Sequence, residues 1–311
     1  MKRLKKNILV VQGGISKERN ISLETGKACI KSMKRLGYKV SILDPAKKFL
    51  NEIDKSKTDV IFNALHGKDG EDGLAQSYFE YLRIPYTHSG VISSMNAMDK
   101  VISKQIFRKN KLLTPKYHVI NCETPEKINL KKIIKKLNFT YPVVIKPSSE
   151  GSSIGVKICK NIKILKMSVF QLKKKYKTLI LEKYIGGQEI QVATINGRAI
   201  GAIELKPQRG FYDYKAKYFK SAKTVHIMPA NIPKKQYQKV LKIAEKTHKI
   251  LKCRGVTRCD FKYLNKKFYL LELNTQPGMT DLSLVPEIAK YQGISFDSLI
   301  KKMILDASIN R

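Results

Sequence analysis

Glu272 and Asn274 stand two residues apart in the apolar run of LLELNTQPGMTDLS (270–283), a spacing that in an extended strand turns both side chains to one face. A carboxylate and an amide side by side in a strand are costly to desolvate unless they hold something. Just upstream, CDFKYLNKKFYLLELN reads as two strands joined by a tight turn centred near Asn265 and Lys266, which sets Asp260 across the ladder close to Glu272. Two carboxylates and an amide oxygen on one face are hard donors suited to Mg²⁺, which takes its remaining ligands from water and phosphate oxygens. An ion-pair cluster with some of the many lysines fits the same residues.

Three further stretches bear chemistry of the same kind. KPSSEGSSIG (146–155) is a glycine and serine turn between strands, and the backbone N–H groups of such a turn cradle phosphate oxygens while Lys146 adds a point charge. It lacks the GK[ST] of a P-loop, and glycine-rich turns are common. LILEKYIGGQE (179–189) ends an apolar strand in a connector carrying Glu182, Lys183 and Glu189; it suits an adenine edge and a ribose, or is a plain polar linker. FYDYKAKY (211–218) brings tyrosines and lysines into a long irregular segment, either a lid that excludes water and carries charge to a phosphate or a tyrosine-rich surface loop.

The elements that must position these residues follow from periodicity. NILVVQ (7–12) reads as a strand ending in Gly13 and Gly14, followed by a helix from about Ser22 to Leu36, the strand KVSILD, the strand DVIFNAL (59–65) and a helix through Leu82. This alternation argues a parallel sheet whose ligand crevice lies at the carboxyl ends of the strands, where GGISKE and HGKDGEDG fall. From Met98 on, the pattern predicts a helix (DKVISKQIFRKN), a helix around 125–137, the strand PVVIKP, a hairpin into VKIC, a lysine-rich helix and the strand TLILEKYI. The last region holds strands at 188–195 and 198–205, the irregular stretch 206–222, a helix over 234–251 and the paired strands 255–264 and 267–273. A structureless stretch of that length in a compact domain is often a lid.

Composition narrows the function classes. The 311 residues are 42% hydrophobic, ordinary for a soluble globular chain of two or three domains. No apolar run nears the roughly eighteen residues of a membrane span. The basic MKRLKK start runs into a short strand and a glycine turn, so it reads as the first strand and not as a signal peptide. Five scattered cysteines, with no CxxC among them, suggest neither a disulfide framework nor zinc, and fit a reducing cytoplasm. The net charge of +36 invites a polyanion, but only ten of the 61 basic residues are arginine and the lysines are spread over nearly every segment. Runs such as Lys131, Lys132, Lys135, Lys136 and Lys173 to Lys175 read as solvated faces, with no nucleic acid or membrane as partner.

Taken in order, GGISKERNISLETG, HGKDGEDG, MDK, IKPSSEGSSIGV, LEKYIGGQEIQVA, YDYKAKY, RCDF and ELNTQPGMTDLSLVP resemble, at near spacing, the motifs of D-alanine:D-alanine ligases of the ATP-grasp superfamily. The resemblance spans essentially the whole chain, and HGxxGEDG and NTxPGMT are its most specific parts. It implies an α/β, three-domain ATP-grasp architecture: an N-terminal parallel αβα sheet domain (1–98) that binds substrate, and two α+β domains sandwiching ATP, one central (99–185) and one C-terminal (186–311) with the lid (206–222) and the Mg²⁺ site. It implies ATP-dependent joining of two D-alanines through an acyl phosphate for peptidoglycan precursor synthesis, in the cytoplasm, by a homodimer.

The same resemblance assigns roles. Lys100 and Lys146 would bind ATP phosphates, Glu182 and Lys183 the adenine, Glu189 the ribose, and Lys217 the γ-phosphate as the lid closes. Asp260, Glu272 and Asn274 would hold two Mg²⁺ ions, with Mn²⁺ as the alternative ion. Glu18 would receive the amino group of the first D-alanine, supported by a hydrogen-bonded link through Ser152 to Tyr218, with His66 nearby. Arg258 and the Gly278 N–H would stabilise oxyanions, and Ser283 and Leu284 would hold the carboxylate of the second D-alanine. Gln276 and Asp281 stand where the family's last motif varies, and Lys215 adds an extra positive charge to the expected lid. Tyr218 matches the type that takes an amine acceptor and not D-lactate.

Overall fold

The computed structural model describes residues 6–123, 128–207, 224–280 and 283–311. Its first sheet is parallel, in the order β2-β1-β3, with β1 at Asn7–Val11, β2 at Lys39–Leu43 and β3 at Val60–Asn63. Both faces are covered, so β1 and β3 read as unbroken apolar runs. Ile8, Val10, Val60 and Phe62 face a core shared with helix α1 (Arg19–Arg35), while Leu9, Val11 and Ile61 face α2 (Leu74–Leu82) through Ala75 and Phe79.

Helix α1 begins three residues before the expected Ser22, for a visible reason. The Ser22 hydroxyl does not cap a helix: it accepts from the Gly13 N–H at 2.7 Å and donates to the Ala64 carbonyl at 2.8 Å, tying the helix to the loops after β1 and β3. The loop after β1 and the start of α1 are tied to Asp44, just past β2, which accepts two bonds from Arg19 (2.9 and 2.6 Å) and one from the Gly14 N–H (3.0 Å). Gly13 sits at φ +83, and a Cβ there would lie 2.5 Å from Asp44 Oδ1, so the glycine is needed twice over.

The Arg19 guanidinium, aided by backbone donors, holds the Asp44 carboxyl down to about 2. Asp44→Asn therefore costs about 1–2 kcal/mol at neutral pH. Because the folded value lies below the unfolded one, that contribution is full above roughly pH 4 and fades as pH falls through the folded value. Urea unfolding of both proteins should show the gap narrowing by about half at pH 3; a gap that does not move with pH would assign the stabilisation elsewhere.

Two helices lead out of the first sheet. α3 (Val91–Met98), unread in the sequence, meets α4 (Lys100–Lys109) at Asp99, whose carboxylate caps α4 by accepting from the Val101 and Ile102 N–H groups. The second sheet is antiparallel, ordered β4-β7-β5-β6: β4 (Tyr117–Asn121), β5 (Val143–Pro147), β6 (Lys157–Cys159) and β7 (Thr178–Lys183). Strand β4 is an addition to the sequence reading, and the β5–β6 hairpin agrees with it. Helices α5 (Leu130–Leu137) and α6 (Ile162–Leu172) cover one face, and Lys131, Lys132, Lys135, Lys136 and Lys173 to Lys175 are exposed as expected.

The third sheet is ordered β10-β9-β8-β11-β12: β8 (Gln188–Ile195), β9 (Arg198–Lys206), β10 (Val225–Ile227), β11 (Val256–Leu264) and β12 (Lys267–Asn274). Helix α7 (Lys234–Ile250) packs on one face. On the other face lie α8 (Leu284–Tyr291) and α9 (Phe296–Asp306), which the sequence reading did not anticipate. Their Val285, Ile288, Leu299 and Met303 join Ile203 and Val256 of this sheet to Ile8 and Met33 of the first unit in one core. Asp297 fixes the contact by accepting from Ser32 (2.6 Å) and Arg35 (2.5 Å). The five cysteines are free thiols, and among the described residues no helix is long and apolar enough to cross a membrane.

Candidate active site

The β11–β12 hairpin turns on Asn265 and Lys266, both left-handed at φ +49 and +61, the pattern of a type I′ turn. Counting back from that turn alone, with Leu264 opposite Lys267 and Phe261 opposite Leu270, Asp260 would face Leu271, and Glu272 would lie on the other side of the sheet. A bulge between Asp260 and Phe261 shifts the register, so Asp260 pairs with Glu272 and Arg258 with Asn274. One inserted residue therefore collects the three oxygen donors on one face, beside Gln191 of β8.

Both readings of that trio find support. Arg258 grips Asp260 through Nε–Oδ1 at 2.7 Å and Nη2–Oδ2 at 3.0 Å, Asn274 Nδ2 stands 3.5 Å from Asp260 Oδ2, and Lys100 Nζ is 3.4 Å from Glu272 Oε2. Two opposed carboxylates repel, and these cations compensate them. Among the described residues no group of three His, Cys, Asp or Glu is placed to hold a metal by itself. The set fits Mg²⁺ in the way that ion is usually held, by one or two carboxylates with an amide oxygen nearby and phosphate oxygens completing the shell.

Opposite this face, across a cleft, stand β5 and β7 of the second sheet. Lys100, Lys146, Glu182, Lys183, Glu189, Asp260 and Glu272 all line it, so residues spread over more than 170 positions converge on one space. The Glu182 carboxylate is turned down under the cleft, with Oε2 3.0 Å from Lys146 Nζ and Oε1 2.9 Å from Lys104 Nζ. Burial works against the charge on Glu182, yet the two lysines hold its carboxyl below its usual range. Burial pulls the Lys104 ammonium down to about 8, and the Glu182 carboxylate opposes that shift. Glu189, where β8 begins, is held by Lys262 at 2.8 Å. Beyond β7 the chain leaves the ladder at Tyr184 and Ile185, which also line the cleft.

The turn after β5 joins this cleft to a second site. Lys100 Nζ donates to the Glu150 carbonyl at 2.5 Å, and two residues on the Ser152 hydroxyl donates to Glu18 Oε1. Glu18 is buried at the head of α1, crowded by Gly67 and Gly151, where added Cβ atoms would come within 2.6 and 2.7 Å of its Oε2. His66 lies close by, its ring between Glu71 (2.9 Å) and Thr25 (3.0 Å). Burial raises the Glu71 carboxyl, and His66 opposes the shift.

Ser283 stands just before α8, its hydroxyl accepting from the Thr280 N–H at 2.9 Å, and a Cβ on Gly278 would lie 2.8 Å from that hydroxyl. Leu284 is the first residue of α8. Gln276 stitches the loop to the first sheet by accepting from Asn63 at 2.9 Å and donating to the Leu65 carbonyl. Lys215, Lys217, Tyr218 and Asp281 lie outside the described residues.

Sequence reasoning missed Lys104, Glu150, Thr25 and Lys262 as partners of these groups. One signal was present. Lys100, Ser103, Lys104 and Phe107 fall on one helical face, and a lysine on the buried face of a helix must be paired.

The family model described as "D-ala D-ala ligase C-terminus" matches residues 106–305, and that described as "D-ala D-ala ligase N-terminus" matches residues 42–89. The chain is 56% identical over 306 residues to a D-alanine–D-alanine ligase of Pelagibacter ubique, covering 98% of this chain and 99% of the relative. It is 43% identical over 307 residues to the corresponding protein of Wolbachia pipientis, covering 96% and 94%. A crystal structure of the D-alanine–D-alanine ligase of Bacillus anthracis complexed with ATP matches with a TM-score of 0.84 at 31% identity, covering 97% of each chain. A second structure from that organism matches with a TM-score of 0.86 at 33% identity over the same shares.

Proposed function

The chain belongs to the D-alanine–D-alanine ligase family, within the ATP-grasp fold, and we propose the following division of labour as it joins two D-alanines with ATP. The triphosphate lies in the cleft between the second and third sheets, with Lys100 and Lys146 on its phosphates. Adenine meets Glu182 and Lys183, and Glu189 takes the ribose. Asp260, Glu272 and Asn274 hold Mg²⁺ ions, which neutralise phosphate charge when bound. The first D-alanine seats its amino group at Glu18, steadied by Ser152 and, from the lid, by Tyr218, with His66 on the same side. Arg258 and the Gly278 N–H face the oxyanion, Ser283 and Leu284 receive the carboxylate of the second D-alanine, and Lys217 reaches the γ-phosphate.

One observation carries this reading: a single turn serves both sites. Glu150 offers its carbonyl to Lys100 on the phosphate side, and Ser152 bonds Glu18 on the amino-acid side. A substrate whose amino group is anchored at Glu18 therefore has its carboxylate against the phosphate end of the cleft. It attacks the γ-phosphorus, an O–P bond forms as the β–γ bridge breaks, and ADP leaves. The second amine, having given up its proton, attacks the acyl carbon and expels phosphate. Oriented N–H groups and cations stabilise the charge as it moves, and water must be kept out because it would hydrolyse the acyl phosphate.

The reading extends to three functional regions, 1–98, 99–185 and 186–311, to a homodimer, to a cytoplasmic setting and to a role in peptidoglycan precursor synthesis. Phosphate release with ATP and Mg²⁺ tests it. D-Alanine should support turnover and L-alanine should not; equal rates, or none with either, would sink the assignment. D-Lactate should compete poorly as acceptor at neutral pH, and a mass-spectrometric product ratio favouring D-alanyl-D-lactate would overturn the amine preference.

A further inference from the structure

Lys104 is one helical turn beyond Lys100 on α4 and faces the same way. Its side chain is wholly buried, with Nζ 2.9 Å from Glu182 Oε1, 2.7 Å from Thr114 Oγ1 and 5.8 Å from the centre of the Tyr117 ring. No nucleotide in the cleft can touch it. A buried ammonium is expensive to keep, and Glu182 already has a cation in Lys146 at its other oxygen. Two ammonium groups thus share one carboxylate, which leaves a surplus positive charge under the floor of the cleft.

From this arrangement we propose that Lys104 is a positioning residue of the nucleotide site: by occupying one oxygen of Glu182 it keeps that carboxylate from neutralising Lys146, whose ammonium stays available to the phosphates. The proposal rests on the placement of the triphosphate given above. Without Lys104, Glu182 and Lys146 become a closed one-to-one pair, and Lys146 is drawn down from the cleft. The adenosine end keeps the connector after β7, and Glu182, still tied to Lys146, stays beside it.

Calorimetric binding to the full chain, with Mg²⁺ and no D-alanine, tests this apart from ligation. Lys104→Met should weaken ATP binding about tenfold or more, the equivalent of losing one good charged contact, while adenosine binding changes less than about twofold. A double-mutant cycle then separates the routes. In a Glu182→Gln background, where no carboxylate remains to capture Lys146, the same substitution should cost ATP affinity far less. Equal weakening of ATP and adenosine would mark a packing role and overturn the proposal, as would unchanged ATP affinity or an equal loss in both backgrounds. The double variant leaves no unpaired buried charge at either position; if the single Lys104 variant does not fold, adding Lys104→Met to Glu182→Gln should change ATP affinity less than about twofold, and a loss of about tenfold there would overturn the proposal. Wild-type protein that binds ATP but makes no dipeptide would remove the ligase reading alone, and protein that binds no ATP would remove both.

Discussion

Replacing Glu272 with alanine lowers D-alanine-dependent phosphate release by about a thousandfold or more and leaves the melting temperature within a few degrees of wild type. The two halves of that expectation come from different parts of the structure. Glu272 faces Asp260 across the ladder and lines the nucleotide cleft, so its loss removes one of two carboxylates there. The hairpin that carries it is held by backbone pairing to β8 and by the packing of Phe261, Phe268 and Leu270. Removing one of two opposed carboxylates also relieves their repulsion, and Lys100 keeps the Glu150 carbonyl as a partner. Lys100, released from Glu272, binds phosphate more tightly, but one charge-assisted contact is worth about 1.5–3 kcal/mol, against about 4 kcal/mol for the rate loss. Turnover within tenfold of wild type, with the fold intact by circular dichroism, would reject the metal role of this face.

Much of this site is legible in the sequence because it rests on local rules. The two-residue spacing of Glu272 and Asn274, the turn at Asn265 and Lys266, and the glycine and serine turn after Lys146 each follow from strand periodicity and turn chemistry. The bulge that brings Asp260 opposite Glu272 does not, because its local signal is weak and its effect is long-range: one extra residue exchanges the faces of everything beyond it. Lys104 escapes for a related reason. A lysine on α4 looks like one more solvated charge in a chain of net charge +36, its helical-face signal is easily passed over, and the packing around Glu182 shows that it is sealed. Helices α8 and α9 went unread because their apolar faces complete the core of the first unit, more than 250 residues away in sequence from Ile8 and Met33. The Ser22 hydroxyl bonds to loops after two different strands, which no local helix signal encodes.

Glu18→Gln raises the KM for the first D-alanine by about a hundredfold, with a smaller change in kcat and no change in ATP affinity. The amide keeps the shape of the side chain and can still meet the Ser152 hydroxyl, so what is lost is the charge that faces a substrate ammonium. Glu18 is buried, which makes an uncompensated ammonium there far more costly than at a surface site. A second substitution reaches the same point without touching a charged group. Gly151 is not held in a left-handed conformation, so alanine suits its backbone, but the new Cβ would press to 2.7 Å from Glu18 Oε2. Gly67 would crowd the same oxygen at 2.6 Å, yet its φ of +72 would add backbone strain and blur the result. Gly151→Ala should therefore raise the D-alanine KM on the order of tenfold or more by displacing the carboxylate, while ATP binding holds. Initial rates against D-alanine at saturating ATP, together with calorimetry of nucleotide binding, separate the outcomes. If both variants weaken ATP and D-alanine alike, the turn acts as one rigid unit and Glu18 has no separate part in seating the first amino group. If D-alanine alone weakens, the carboxylate at the head of α1 recognises the substrate and the turn serves to hold it in place.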